Sequence, residues 1–512
     1  MPNPPEYDPS KPSDQVRKYI HEGDMLFIEG VDIQNDNVRR FDVRNVTRLS
    51  DAKGNFYFEN THWWLTQMAR LADQWLDDLF DDRRTFEWDD FAELYRTNLN
   101  ILGEPTDNVT QECATLSRLI YGLSSCYLLT GGERYLQAAR AGVKYQRETF
   151  RSLSHNGQYC FWMFGKRKSN GVTESLISSE NPDDLGTIPL YEQIYALAGL
   201  CQYYRITQDW EALEDIRRTV RSFQKFFWDD VETGREKGLT GTGGYFSHID
   251  YATLRPDSDA LGQNKLRKNW NSIGDHIPAY LVNLILALEP LPREQNRGIV
   301  GHNFKIAWNM TRVANYYRSQ AAQCSPQNES RAVAQKDFAG DLEKLAQQLI
   351  SNMSTAGIDQ LRGGCFDAME RNPSGGLPME FAWSNTKDFW QQEQAILAYL
   401  IVYGTTHDVN HIQLAREMMA FWNHFFVDSA NHGIYFRVEA DGSPVIQGSY
   451  AQKAGHSVAG YHAFELNYLA HSYICTYVQP GPEQSEADNT FCLYFRPDAG
   501  ARHTTLNVLP DF

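Results

Sequence analysis

Apolar residues recur at helical spacing through most of the chain, and one arrangement of them occurs three times. Each copy has an apolar helix, a short turn and a second, amphipathic helix, in segments 119–145, 193–220 and 394–422. In the first copy, Leu119, Leu123 and Cys126 lie on one helical face. Each turn holds Gly or Asp, which end one helix and cap the next. The pattern therefore predicts three αα-hairpins.

The rest of the chain extends this helical pattern. Further helices are predicted over 62–80, 275–289, 302–322, 334–352 and 459–475. Glycine-rich aromatic pieces between them predict short β-ribbons or loops, at 157–165, 241–250, 362–370 and 432–442. Repeated hairpins form either an open solenoid or a closed ring. We favour an all-α toroid, because its loops would converge on one cleft and these loops carry aromatics and histidines.

The pattern shows no internal domain boundary and predicts one catalytic-type domain over 50–480. Residues 1–49 are predicted as an N-terminal arm and extension, and 481–512 as a polar C-terminal tail. The first fifteen residues are polar and proline-rich, without an apolar signal region, which indicates a disordered or loosely docked arm. A cytoplasmic location is therefore expected.

Composition narrows the function. Hydrophobic residues make up 42% of the chain and aromatic residues 13%, which suits either stacking on sugar rings or an aromatic-rich helical core. A net charge of −17 opposes nucleic acid and anionic membranes as partners. The eight cysteines include no C-x-x-C pair, and there is no phosphate-binding glycine loop, so neither a metal nor a cofactor is expected.

Four histidines are candidates for proton transfer. His276, His302 and His462 lie at predicted helix starts, and His248 lies in a predicted ribbon. The positive end of the helix dipole favours neutral imidazole, the form that accepts a proton. Each histidine alone is more readily explained as structural. Three histidines at helix starts, each beside a loop at the same end of a toroid, favour a common catalytic site.

A second cluster occupies 379–400. Its aromatic residues Trp383 and Trp390 are candidates for stacking on a sugar, and Gln392 and Glu393 are candidates for binding hydroxyl groups. An amphipathic helix with acids at its N-terminus is the alternative explanation.

These segments resemble the N-acylglucosamine 2-epimerase superfamily, which includes cellobiose 2-epimerases and aldose–ketose isomerases. The likeness runs from about 115 to 475. The matched residues are Arg118 in the first hairpin, His276 in NSIGDHIPAYL, His302 and Trp308 in GHNFKIAW, Phe389, Trp390 and Gln392 in DFWQQEQAIL, and His462 in YHAFE. The resemblance implies an (α/α)6 barrel, with short ribbons and loops at its active-site end, that acts on a carbohydrate without a cofactor.

The resemblance also implies a mechanism. His302 and His462 would be the catalytic pair, one removing the proton beside the carbonyl of an open-chain sugar and the other returning it. His276 and Arg118 would bind the oxygens, where an enediolate develops negative charge. The oligomeric state is left open, with a homodimer among the options.

Three positions depart from the family pattern. Lys305 stands for a glutamate, Glu465 for an arginine, and Gln394 for a glutamate, with Glu393 adjacent. We hypothesise a swapped Lys305–Glu465 ion pair, so that the double exchange Lys305→Glu with Glu465→Arg rescues either single variant. Lysine beside His302 would weaken that base, so His462 is expected to be the stronger one. The substrate-contacting candidates are Arg118, His248, His276, Lys305, Trp308, Trp383, Trp390, Gln392, Glu393 and Glu465.

Two other functions remain open from the sequence. An (α/α)6 glycoside hydrolase would use two carboxylates across the cleft, drawn from Asp250, Asp275, Asp367 and Glu393. A catalytically silent carbohydrate-binding protein would explain the altered charges. The sequence identifies neither the sugar nor the choice between epimerisation and aldose–ketose isomerisation.

Overall fold

The structure is a computed structural model, and it divides into two compact units, Met1–Trp63 and Trp64–Phe512. It describes residues 10–35, 38–51, 53–106, 110–268, 297–325, 328–370, 374–376, 380–382, 385–458, 460–479 and 491–501. His276, Asp275, Trp383 and the predicted helix 275–289 lie outside the described residues.

The first unit contains a β-hairpin that the sequence analysis did not predict. After the short helix α1 (Pro12–Arg17), strands β1 (Leu26–Asn35) and β2 (Val38–Arg48) pair antiparallel, with a register shift at Glu29/Gly30. A Cβ atom on Gly30 would lie 2.5 Å from the Asp42 carbonyl oxygen, so this position requires glycine. Alternating apolar residues in both strands were the available signal.

The second unit is helical. Its helices are α2 (Trp63–Phe80, beginning at the boundary), α3 (Trp88–Leu94), α4 (Cys113–Thr130), α5 (Glu133–Phe150), α6 (Leu190–Thr207), α7 (Trp210–Ser222), α8 (Val300–Ala322), α9 (Glu329–Ala356), α10 (Phe389–Thr406), α11 (Val409–Phe421) and α12 (Tyr461–Tyr473). None of these described helices has the length and hydropathy that a membrane span requires.

Five of the described helices form an inner layer and four an outer layer. Helix α4 packs against α6 and α12, α12 packs against α10, and α10 packs against α8. The outer helices α5, α7, α9 and α11 each pack on the inner helix that precedes them. Inner helices are apolar on nearly all faces; α4 is buried from Cys113 to Leu129. The predicted toroid of hairpins is confirmed in this part of the chain.

Four of the hairpins share one repeat: strand, inner helix, outer helix, strand. A three-residue strand runs directly into each inner helix: β3 (Thr110–Glu112), β8 (Thr187–Pro189), β10 (Arg297–Ile299) and β12 (Thr386–Asp388). Each pairs antiparallel with a strand that follows the outer helix, respectively β6 (Gly165–Ser169), β9 (His248–Asp250), β11 (Ala368–Glu370) and β13 (Arg437–Glu439). The remaining strands are β4 (Arg151–Leu153), β5 (Cys160–Trp162) and β7 (Val172–Leu176). The ribbons therefore lie at the N-terminal end of the inner helices.

The hairpin turns use the predicted caps only in part. Asp209 and Asp408 cap α7 and α11 by accepting hydrogen bonds from backbone N–H groups. Gly131 ends α4 in the left-handed region, as glycine is expected to. The equivalent positions at the ends of α6 and α10 hold Gln208 and His407, with φ of 54° and 55°. The left-handed backbone conformation costs an L-residue roughly 1–2 kcal/mol, and both residues adopt it.

Candidate active site

The candidate residues gather because the strand–helix junction is repeated. Counted from the first residue of its inner helix, the sixth position holds a site residue in α4, α6, α8 and α10: Arg118, Tyr195, Lys305 and Gln394. His302 is the third residue of α8, Glu393 the fifth of α10, and His462 the second of α12. All seven residues lie within the first six positions of an inner helix, so their side chains lie at one end of the helical ring.

His302 and His462 both contact the indole of Trp390. The His302 and Trp390 ring centroids are 4.9 Å apart, and those of Trp390 and His462 are 5.9 Å apart. All three side chains are only partly buried. The structure therefore brings together the two proposed proton-transfer residues and one predicted stacking residue.

His462 is anchored by a buried carboxylate. Its Nδ1 atom lies 2.6 Å from Glu393 Oε2, so one proton is shared between the two groups. The Glu393 side chain is completely buried, whereas 14% of the His462 side chain is exposed. This contact fixes the imidazole orientation through Nδ1.

A second carboxylate and a lysine control the charge of Glu393. Burial and the negative charge of Glu465 raise the pKa of Glu393 well above its usual value, while the positive charge of Lys305 lowers it. Lys305 is 1% exposed, and its Nζ has no hydrogen-bond partner among the described residues. Nζ lies 5.7 Å from the centre of the Tyr461 ring.

The hypothesised Lys305–Glu465 pair takes a different form. The two side chains make no direct ion pair within the described ranges, and Glu465 Oε1 instead accepts a hydrogen bond from Tyr121 Oη at 3.2 Å. Both charges act on Glu393, with opposite signs. Rescue by the double exchange stays a prediction, since it would now operate through this shared neighbour.

Within the described part of the chain, one group of side chains has ligand atoms close enough together to share a metal ion. It consists of Glu393, His462 and Glu465. One ligand atom from each lies within 4.8 Å of the others. Two carboxylates and an imidazole suit a divalent transition metal, but Lys305 already supplies a positive charge beside them.

Arg118 lies on a second wall of the site, on α4. Its guanidinium lies 3.6 Å above the Tyr195 ring, and its Nη2 donates to Tyr191 Oη at 3.1 Å. The ring centroids of Tyr195 and Tyr461 are 6.1 Å apart, and those of Tyr461 and His462 are 4.7 Å apart. A chain of packed side chains thus connects the predicted arginine to the predicted base.

Besides His302 and His462, the site holds a third histidine, His456, which the sequence analysis missed and which lies on the same wall as Arg118. His456 Nδ1 lies 2.8 Å from Glu112 Oε2, and its Nε2 lies 3.7 Å from Glu192 Oε1. Arg118 Nη1 donates to the His456 backbone oxygen at 2.5 Å. Burial alone would lower the pKa of His456, but the Glu112 hydrogen bond and the charges of Glu192 and Glu112 raise it to about 9.

The two carboxylates respond to His456 differently. Burial opposes ionisation of Glu112, yet the His456 hydrogen bond and charge lower the pKa of Glu112 overall. Burial raises the pKa of Glu192. Glu192 is the third residue of α6, the offset that His302 has in α8, and this equivalence was the signal that would have found it.

Other predicted residues lie outside these contacts. Gln392 is fully buried and hydrogen-bonds both the N–H and the carbonyl of Cys365. Trp308 is also fully buried and donates from Nε1 to Gln394 Oε1 at 2.6 Å. His248 Nε2 lies 3.0 Å from Asp184 Oδ1. Substrate contacts by Gln392, Trp308 and His248 stay predictions.

Two of the four carboxylates considered for a hydrolase, Asp250 and Asp367, have hydrogen-bond partners outside these contacts. Asp275 lies outside the described residues, and Glu393 holds His462. Asp250 accepts a hydrogen bond from the Thr253 hydroxyl within a turn. Asp367 accepts from the Asp388 backbone N–H at 3.0 Å, and burial together with the Asp388 charge raises the pKa of Asp367 to about 8. Arg437 binds Asp388 through two hydrogen bonds.

Comparison with solved structures finds the same architecture in carbohydrate enzymes. A sugar epimerase from a ruminal bacterium matches with a TM-score of 0.54 and 16% identity, over 80% of this chain and 98% of that one. The cellobiose 2-epimerase of Bacillus thermoamylovorans B4167 matches with a TM-score of 0.53 and 14% identity, over 81% and 98%. A D-mannose isomerase matches with a TM-score of 0.51 and 16% identity, over 82% and 99%.

Sequence comparison adds no further relative. No protein-family model matches the chain, and no curated protein matches it. At these identities the structural matches establish the fold, so the predicted (α/α)6 barrel is confirmed.

Proposed function

We propose that this chain is a cofactor-independent sugar 2-epimerase or aldose–ketose isomerase of the N-acylglucosamine 2-epimerase type. His302 and His462 transfer the proton through an enediolate. The observation that carries the proposal is the shared contact of both imidazoles with Trp390, on two inner helices of the barrel. The fold it shares with sugar epimerases and an isomerase supports the substrate class.

Each residue has a distinct task in this scheme. One imidazole removes the proton beside the carbonyl, and the other delivers a proton to the opposite face or to the next carbon. Glu393 holds His462 through Nδ1, so that Nε2 points to the substrate. Arg118 stabilises negative charge on the enediolate oxygens. Trp390 offers a flat surface to the sugar.

The test is hydrogen exchange in heavy water. D-mannose and cellobiose, chosen from the names of the similar structures, are incubated with the chain, with and without EDTA. Deuterium at the carbon next to the carbonyl, together with an epimer or ketose product, is the expected result, and EDTA should change neither. A hydrolase would cleave cellobiose without that label, and a silent binding protein would do neither.

The variant His302→Ala should abolish turnover while the protein stays folded. General acid–base groups contribute roughly 10²–10⁴-fold to rate. The exposed His155 provides the control His155→Ala, which should keep the wild-type rate. Full activity in His302→Ala would make the assignment wrong.

A further inference from the structure

The proposed proton transfer by His302 and His462 does not use a second cluster of ionisable side chains, which consists of His456, Glu112 and Glu192. The proposal above uses His302 and His462, whose substrate must be an open-chain sugar. Reducing sugars are mostly closed rings in water, so a ring has to open before a proton beside the carbonyl becomes removable. The site therefore needs a proton donor for the ring oxygen and an acceptor for the anomeric hydroxyl proton.

His456 and Glu192, here named the ring-opening dyad, have the geometry for these two tasks. The side chain of His456 is 42% exposed, whereas those of its partners Glu112 and Glu192 are only 11% and 9% exposed. The imidazole thus presents an open face with two buried carboxylates behind it. Nε2 and Glu192 Oε1 are 3.7 Å apart, which is too far for a hydrogen bond between them.

We propose that His456 and Glu192 open the ring of a bound reducing sugar, and that the chain therefore interconverts the anomers of that sugar as a separate activity. The inference rests on the proposed function for the substrate class. The anomeric and ring oxygens are bonded to the same carbon, so they can face Nε2 and Oε1 together.

The proton count of this step balances. Nε2–H gives its proton to the ring oxygen, which keeps the electron pair of the breaking bond to the anomeric carbon. The anomeric hydroxyl gives its proton to Glu192 as the carbonyl double bond forms. On closure, the hydroxyl formed from the ring oxygen returns its proton to His456, and Glu192 gives its proton to the carbonyl oxygen. Both groups are then restored, and closure on either face of the carbonyl yields either anomer. No oxidant or other reactant is needed.

The surroundings keep both partners in the required state. Glu112 holds Nδ1 and itself accepts from the Thr115 hydroxyl at 2.8 Å, so the donor proton is directed to Nε2. The raised pKa of His456 keeps this proton in place at neutral pH. Burial raises the pKa of Glu192 and makes it a better acceptor than an ordinary carboxylate.

The dyad also lies on the wall that leads to His462. Arg118 donates to the His456 backbone oxygen and stacks on Tyr195, which packs on Tyr461 beside His462. An aldehyde formed at the dyad would therefore emerge beside the guanidinium proposed to bind its oxygen.

The experiment measures anomer exchange apart from proton transfer at carbon. Freshly dissolved α-D-mannose and α-cellobiose are followed by polarimetry and by NMR magnetisation exchange with the full chain. Wild type should exchange the anomers faster than buffer alone. In Glu192→Gln and in His456→Gln, the rate above that of buffer should fall at least tenfold. Glu192→Gln is isosteric and removes a buried charge, so it should fold even if His456→Gln does not. The exposed His155→Gln is the matched control.

The double variant His302→Ala/His462→Ala separates the two proposals. It should keep anomer exchange while losing deuterium uptake at carbon. Deuterium uptake by wild type without accelerated anomer exchange, or wild-type anomer exchange in both dyad variants, would overturn the dyad alone. Anomer exchange without deuterium uptake in wild type would overturn the proposed function and leave the dyad standing. Neither signal with either sugar would overturn both.

Discussion

Replacing Glu393 by glutamine tests how His462 is made ready for proton transfer. The change keeps the size of the side chain but replaces the carboxyl group that shares a proton with Nδ1 at 2.6 Å by an amide that cannot take up that proton. A hydrogen bond to a charged group contributes about 1.5–3 kcal/mol. Glutamine still offers a carbonyl oxygen, so we expect kcat to fall about 10- to 100-fold, at 1.36 kcal/mol per tenfold.

The same change should not destabilise the fold. Glu393 is completely buried, and both burial and Glu465 oppose its ionisation, so glutamine relieves a cost. The assay is deuterium uptake at carbon, with kcat and KM measured separately, beside thermal unfolding. KM should stay near the wild-type value, because Glu393 is completely buried and acts through His462.

A matched control separates position from charge. Glu417 lies exposed on α11, the outer partner of the helix that holds Glu393, and Glu417→Gln makes the same chemical change. It should leave kcat unchanged. Wild-type kcat in Glu393→Gln would refute the positioning role. A lower melting temperature matching the loss of activity would reassign the effect to folding.

Three further predictions follow from buried charge and strained backbone. Lys305→Met should destabilise by about 3 kcal/mol in urea unfolding, and adding Glu465→Gln should recover part of that loss; a further loss would show that the charges do not share Glu393. Asp367 holds a proton in the folded chain up to about pH 8 that the unfolded chain releases near pH 4, so stability should fall as pH rises between these values. Asp367→Asn should flatten this fall, and an unchanged slope in urea midpoints at pH 5 and 8 would contradict it. His407→Gly should raise stability by about 1 kcal/mol in thermal unfolding, because His407 ends α10 with φ of 55°; no gain would mean that its side-chain contacts offset the strain.

Sequence periodicity was enough for the helices because it is a local property. The predicted helix 62–80 is observed as Trp63–Phe80, and the predicted 302–322 as Val300–Ala322. The conformation of the hairpin turns was harder to predict from the sequence. A left-handed residue is expected to be glycine, and nothing local to His407 indicates that it replaces one.

The site was predictable only where a resemblance supplied the pairing. His302, Trp390 and His462 were expected to meet, and the structure brings them into contact. His456 and Glu112 are 344 residues apart in the chain, and no local pattern connects them. Such contacts follow from the ring of helices, which places residues at equivalent junctions side by side.

Charge inversion was visible in the sequence, but its geometry was not. Lys305 and Glu465 stood out as opposite departures from one family pattern. Their common neighbour Glu393 comes from a third helix, α10, so the contact needed the fold.

The most direct test of the central claim follows each epimer of the substrate separately in heavy water. If His302 and His462 act on opposite faces of one carbon, each single alanine variant should stop net epimerisation. Each should still exchange deuterium into one epimer, and the two variants should retain opposite epimers. Exchange into both epimers by either variant, or the same epimer retained by both, would contradict proton transfer by this pair of histidines.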